Sequence, residues 1–143
     1  MHRLKIATQE DLEAILVLLE EFFNKTVYST ITDYSLIDTR ESIANLLKVP
    51  VSQGCFVLLV SETGQVDGLL IGSYMNHMFN KAEKTAVEIA LYIREGVATR
   101  ALYKKLLQAY RYWAKSIGCN SIMTGQLAPS PTEVESYSIR KLR

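Results

Sequence analysis

The chain has 143 residues, of which 48% are hydrophobic and 22% charged, and its formal net charge is +1. This size and composition are typical of a globular domain with a single core, so we expect one domain over residues 1–143 and exclude a disordered chain. Apolar runs such as Phe56–Val60 are too short to span a bilayer, and the acidic start of the chain excludes a secretory signal.

The start of the chain predicts a strand followed by a helix. Leu4–Ala7 has the pattern of a short strand, and Thr8 with Asp11 three residues later resembles a capping box. The helix that follows has an apolar stripe with a 3.6-residue period, which indicates a buried face. The stripe consists of Leu12, Ile15, Leu16, Leu19, Phe22 and Phe23.

A second helix is predicted after a polar and aromatic loop. The loop is predicted at residues 24–37, and we expect it to influence substrate specificity. Asp38 or Thr39 predicts the cap of the helix, and Pro50 predicts its end.

Three strands follow, separated by turn signals. Cys55–Ser61 is almost entirely apolar, Gln65–Asn76 continues after a Thr-Gly turn, and Thr85–Ile93 forms the central strand after the turn at 80–83. The order of elements predicts an α/β protein in which helices pack on a mixed sheet.

The longest predicted helix runs over about Val97–Ile117 and stops at Gly118, which favours the left-handed conformation of a helix end. Its inward stripe consists of Leu102, Leu106, Ala109, Tyr110, Trp113 and Ile117. A fifth strand is predicted at Ser121–Gly125, and a short helix at Thr132–Leu142.

The junction between the central strand and the long helix is suited to an anion. The strand ends at Arg94-Glu95-Gly96, and unpaired N–H groups at the start of the helix point back towards it. Residues 1–70 hold five Lys/Arg and ten Asp/Glu, whereas residues 71–143 hold eleven and five, so the charges are −5 and +6. The basic half therefore suits a phosphorylated ligand.

Two isolated cysteines, Cys55 and Cys119, lack the spacing of a metal site. We interpret them as free buried thiols in a reducing compartment, with a disulfide or a metal site as the alternatives. A cytoplasmic location is therefore expected.

Three segments together resemble the GNAT acetyltransferase superfamily: RLKIATQEDLEAILVLLEEF, VEIALYIREG and LLQAYRYWAKSIGCNSI. They are similar to the family's first strand and helix, its fourth strand, and its long helix with the fifth strand. The placement of Trp113-Ala114-Lys115 and Gly118 is most similar to small GNAT-like proteins often found in tailed phages. The resemblance covers residues 3–126.

The resemblance implies a GNAT-like acyl-CoA N-acyltransferase fold, with acetyl-CoA or another acyl-CoA as the cofactor. In this family the fourth and fifth strands splay apart, and the fourth binds the pantetheine arm through its backbone. The residues implied for the arm are Leu91, Tyr92 and Ile93. The residues implied for the phosphates are Arg94, Gly96, Val97, Ala98, Thr99, Arg100, Ala101 and Lys104.

Two departures from the family pattern predict altered properties. The phosphate loop of the family is [Q/R]-x-x-G-x-[G/A]. A register anchored on Leu106 places Tyr103 at a small position, and one anchored on Leu102 places Val97 and Thr99 there. We therefore expect weakened coenzyme binding. The family's last hairpin is also expected to be absent, which leaves an open sheet edge for a second copy or a protein partner.

Glu88 is the candidate general base, because several family members hold one on this strand and a partly desolvated carboxylate can take a proton from an amine. The alternative is a solvent-facing residue or a partner of Lys84. Alternation places Glu88 on the face opposite Val87, Ile89 and Leu91.

Two further side chains are weaker candidates. His77 is a second possible base and Tyr92 a possible acid for the departing thiolate, with structural roles as their alternatives.

These observations predict an N-acetyltransferase that acts on a small-molecule or protein amine. The alternative is a catalytically degenerate scaffold that binds a protein partner, as a phage effector or virion component. A membrane is not expected as a partner, and neither is nucleic acid. The basic outer face of the long helix, with Tyr112 among its cations, has two interpretations: a solvated helix face, which we favour because the net charge is only +1, and a surface that binds nucleic acid phosphates. That face carries Arg100, Lys104, Lys105, Arg111 and Lys115.

Overall fold

A computed structural model describes residues 2–26, 28–126 and 136–142 of the chain. The described strands form one mixed sheet whose order follows the chain, and only β4 and β5 are parallel neighbours. The strands are β1 (Arg3–Ile6), β2 (Phe56–Glu62), β3 (Gln65–Asn76), β4 (Lys84–Ile93), β5 (Ser121–Gln126) and β6 (Ser136–Lys141). The predicted class, a mixed sheet packed by helices, is confirmed.

Helices cover both faces of the sheet and create two apolar layers. The helices are α1 (Leu12–Lys25), α2 (Tyr28–Ile31), α3 (Leu36–Leu47) and α4 (Arg100–Ser116). On one face, Ile15 of α1 and Ile43 of α3 pack with Leu69 of β3. On the other, Leu106 of α4 packs with Leu70 of β3.

The long helix matches its predicted apolar stripe. Leu106, Tyr110 and Trp113 are almost fully buried. Thr99 caps the first turn through its Oγ1, which accepts from the Leu102 N–H at 3.1 Å, so the helix begins after the predicted Val97. Gly118 ends it with a φ of +85°, as predicted.

The region between the first two long helices differs from the prediction. Residues 24–37 contain the end of α1 and the short helix α2 rather than only a loop. Helix α3 begins at Leu36, because Ser35 caps it by accepting the Asp38 N–H at 3.2 Å. The predicted cap at Asp38 or Thr39 is therefore wrong by one turn.

The end of the chain also differs. Residues 136–141 form a strand that pairs antiparallel with β5, where a short helix over 132–142 was predicted. Residues 132–135 of that predicted helix lie outside the described residues. The pairing satisfies the backbone groups of β5, so the edge of the sheet is β6, whereas the sequence predicted no strand after the fifth.

None of the helices within the described ranges has the length and apolar character needed to cross a membrane.

Candidate active site

The parallel strands β4 and β5 stay together over a short distance only. Their paired residues are Thr85 with Ser121, Ala86 with Ile122, and Val87 with Met123. Beyond Val87, the described part of the chain provides no partner for the β5-facing side of β4. Pairing between the two strands therefore ends there, and we call the region beyond it the V; the β5-facing backbone N–H and C=O groups of β4 border it.

A β-bulge in β4 directs Glu88 into this region. On β3, Gly72 pairs with Glu88 and Ile71 pairs with Ala90, so Ile89 is an extra residue in β4. Leu91 consequently packs on the α4 side of the sheet, as Ala86 does. The predicted alternation, with Glu88 opposite Leu91, is wrong because the bulge interrupts it.

The Glu88 carboxylate lies in an environment that favours its protonated form. Oε2 accepts the Gly125 N–H at 3.4 Å, whereas no described residue donates to the buried Oε1. Burial raises the pKa of Glu88 to about 7, and the bond from Gly125 offsets part of this effect. A carboxyl group with such a pKa can exchange a proton at neutral pH.

The start of α4 offers only part of the predicted phosphate loop. The N–H groups of Val97 and Ala98 donate to the Arg94 carbonyl at 3.1 and 3.0 Å. The N–H groups of Arg100 and Ala101, in the first turn, have no acceptor within the helix. Both residues are exposed and so is Lys104, so these three are accessible to an anion.

The side chain of Arg94 is held by carboxylates on neighbouring elements. Its Nε lies 3.2 Å from both oxygens of Glu21 on α1, and its Nη1 lies 3.5 Å from Asp67 Oδ1 on β3. Burial alone would raise the pKa of Glu21, but hydrogen bonds from Arg94 and Tyr92 lower it. Arg94 can neutralise a phosphate only by giving up these contacts.

We predict that Arg94→Ala lowers the free energy of unfolding by about 2 kcal/mol, because it removes the guanidinium that bonds Glu21 and lies beside Asp67. The matched control is Arg111→Ala, which removes an exposed arginine without a described ion pair and should change stability by less than about 0.5 kcal/mol. Urea denaturation of both variants measures the difference. Equal effects would show that the Arg94 ion pairs contribute nothing.

The candidate acid Tyr92 faces helix α1. Its hydroxyl donates to Glu21 Oε2 at 3.1 Å, and its ring contacts Phe22 edge-on at 6.3 Å. Burial raises the pKa of Tyr92. Its proton is therefore engaged in a hydrogen bond to Glu21. The backbone of residues 91–93, implied for the pantetheine arm, pairs with β3 on one side and borders the V on the other.

The second candidate base, His77, lies at the closed end of the V. Its Nε2 is 2.6 Å from Thr85 Oγ1 and 3.2 Å from Ser121 Oγ. Thr85 precedes Glu88 by three residues, which is about 10 Å along a strand. The structure therefore does not bring His77 and Glu88 together.

Comparison with known proteins decides the family. A family model described as an acetyltransferase (GNAT) domain matches residues 4–135. The chain belongs to the GNAT acetyltransferase family. A comparison with curated protein sequences gave no match.

Solved GNAT structures share the fold at low sequence identity. An acetyltransferase of Clostridium acetobutylicum, solved with acetyl-CoA, has a TM-score of 0.69 at 12% identity, with 85% of this chain and 79% of that chain covered. An aminoglycoside 6'-N-acetyltransferase of Acinetobacter haemolyticus has a TM-score of 0.66 at 17% identity, covering 84% and 76%. A ribosomal-protein-alanine N-acetyltransferase of Brucella melitensis has 0.62 at 11%, covering 85% and 77%.

Four residues of this GNAT site were not singled out from the sequence. Gly125 and Tyr110 lie beside Glu88. The Gly125 N–H donates to the Glu88 carboxylate. The pKa of Tyr110 is raised mainly by burial and secondly by the charge of Glu88. Glu21 and Asp67 hold Arg94. Of these four residues, only Glu21 could have been suspected from the sequence, because it lies off the apolar stripe of α1 and a polar side chain there can reach the end of β4.

Proposed function

We propose that this chain is an acetyl-CoA-dependent N-acetyltransferase that acts on a small-molecule or protein amine, with Glu88 as the general base. The observation that carries the proposal is the buried carboxylate at the V between β4 and β5, with one unpartnered oxygen and a pKa of about 7. Membership of the GNAT family supports the reaction class.

The residues present fit an acyl-CoA. The first-turn N–H groups of Arg100 and Ala101, with the Arg100 and Lys104 side chains, would hold the pyrophosphate. The free side of β4 near Leu91 would hold the pantetheine arm through backbone hydrogen bonds. The bound acyl-CoA would supply the thioester whose acetyl group is transferred.

The chemistry assigned to this chain is proton removal and orientation. Glu88 would accept a proton from the acceptor ammonium, directly or through a water. The free amine would then attack the thioester carbonyl directly; the C–N bond would form as the C–S bond breaks, the coenzyme would leave as a thiolate, and no covalent intermediate would form on the protein. Backbone N–H groups near Leu91 polarise the acyl carbonyl as negative charge develops on its oxygen.

Isothermal titration with acetyl-CoA tests the coenzyme site. We expect micromolar binding by the wild type and at least about tenfold weaker binding by Arg100→Glu, since one cation at the first turn is replaced by an anion. Lys48→Glu is the control, because it makes the same charge change at an exposed position outside the site. The absence of wild-type binding at millimolar acetyl-CoA would contradict the proposal.

A second candidate function is a scaffold that has lost catalysis and binds a protein partner, such as a phage effector or virion component. Two observations favour it, because both reduce the number of groups available to hold coenzyme phosphates. The Val97 and Ala98 N–H groups already donate to the Arg94 carbonyl, and the Arg94 side chain is paired with Glu21. The titration with acetyl-CoA separates the two functions. Free buried thiols at Cys55 and Cys119 support a cytoplasmic location for either.

A further inference from the structure

The outer face of helix α4 carries a basic stripe, defined here as Arg100, Lys104, Arg111 and Lys115. At 100° per residue these four positions fall within an arc of about 60°, and they extend over about 22 Å of helix axis. All four side chains are exposed, and the helix contains no acidic residue. Two pairs of like charge stand four residues apart, a spacing that destabilises a helix when nothing neutralises it.

The residues that the structure describes do not neutralise the stripe. Within the described residues, no cation of the stripe has a carboxylate within 4.0 Å. Sequence alone could not establish this, because acids distant in the chain can fold against a basic helix. On another flank of α4, Glu62 and Asp67 line an open groove of about 610 Å³ together with Lys105.

The stripe faces solvent on the side of α4 away from the sheet, and it lies nearer to the flank that contacts β5 than to the opposite flank. Tyr110 marks that flank, because its hydroxyl donates to the Met123 carbonyl of β5, and Trp113 marks the opposite flank by donating to the Val51 carbonyl. The centre of the stripe is about 110° from Tyr110 and about 170° from Trp113 around the helix.

A fifth cation, Arg140 of β6, extends the basic surface beyond the helix. Arg140 is exposed and pairs directly with Ile122, which belongs to the core beneath α4. Directly opposed residues of antiparallel strands project from the same face, so Arg140 lies on the α4 side of the sheet. The basic surface is therefore built from two separate elements.

We propose that the basic stripe of α4, extended by Arg140, binds the phosphate backbone of double-stranded nucleic acid without sequence preference. A duplex carries one charge per about 1.7 Å of its axis when both strands are counted, so a length of about 22 Å holds roughly 13 phosphates, of which the stripe can contact those on one side. A rigid helix with cations on one arc matches such a rigid polyanion. The exposed Tyr112 beside the stripe, 79% accessible, adds a polar hydroxyl that can contact phosphate oxygens.

Fluorescence anisotropy with a labelled DNA duplex of about 20 base pairs tests the proposal. We expect log K to fall with log salt between about 50 and 200 mM with a slope near −3, as for three to four phosphate contacts. The double variant Arg111→Glu/Lys115→Glu should weaken binding at least about tenfold and reduce the slope by about 2.

Two controls make the result specific. Lys48→Glu/Lys81→Glu changes the net charge equally at exposed positions elsewhere and should bind the duplex like the wild type. Arg111 lies about 15 Å along the helix from Ala101, so acetyl-CoA binding should persist in the stripe variant, which keeps this test independent of the coenzyme site. Wild-type affinity in the stripe variant, or equal affinity of the wild type for poly-glutamate, would overturn the proposal.

Discussion

Replacing Glu88 by glutamine is expected to lower kcat/KM for acetyl transfer by about 100-fold to 1,000-fold. Glutamine has the same shape and can still accept the Gly125 N–H through its carbonyl, but it cannot take a proton from the acceptor ammonium. Acetyl-CoA affinity should change little, because the first turn of α4 is untouched. Steady-state kinetics combined with a coenzyme titration separates these effects.

The pH profile gives a second readout of Glu88. Because the pKa of Glu88 is raised to about 7, kcat/KM of the wild type should rise with pH and level off above that value. The glutamine variant should lose this inflection. Glu83→Gln, at an exposed position in the turn before β4, is the matched control. An unchanged profile in the Glu88 variant would exclude this residue as the base.

Stability should show the opposite pH dependence. A carboxyl whose pKa is higher in the folded state than in the unfolded state binds its proton more tightly when folded. The free energy of unfolding of the wild type should therefore decrease as pH rises from the unfolded value of 4.5 towards 7, by up to about 3 kcal/mol. Glu88→Gln should lack this decrease, which chemical denaturation at several pH values measures.

The largest effect on stability is expected for Leu106→Ala, with a loss of about 3 kcal/mol in the free energy of unfolding. Leu106 is 0% exposed and packs in the layer between α4 and the sheet. Alanine retains the helix propensity, so the loss reports the cavity and the missing contacts. The melting temperature should fall by about 10 °C.

Leu107→Ala is the matched control for this prediction. Leu107 is adjacent in the helix but only partly buried. Its replacement should cost about 1 kcal/mol, because less apolar surface is lost from the core. Similar losses in the two variants would contradict the packing described for α4.

Features of the fold that depend on local pattern were predictable from the sequence. The apolar stripe that contains Tyr110 and Trp113 predicted α4, and Gly118 predicted its end. Both signals, the helical period of apolar residues and a glycine suited to the left-handed conformation, depend on a few neighbouring residues only. The cap of α3 was misplaced because Ser35, Asp38 and Thr39 are all good capping residues, and the local sequence does not select among them.

Features that depend on contacts distant in the chain were not predictable. The bulge at Ile89 arises from pairing with β3, and it reversed the expected face of Leu91 relative to Glu88. The ion pair between Arg94 and Glu21 joins residues 73 positions apart, so the Arg94 side chain read as a free cation in the sequence. Strand β6 was missed because its stability comes from β5.

The strand order of the sheet has a consequence for how the protein folds. Since every strand pairs with its neighbour in the chain, β2, β3 and β4 can form a meander through short connections before any distant segment is needed. Closing the loops that bring in β1 and β5 then carries most of the entropic cost. We expect the meander to form the folding nucleus and β6 to add last, so substitutions in β6 should accelerate unfolding without slowing folding.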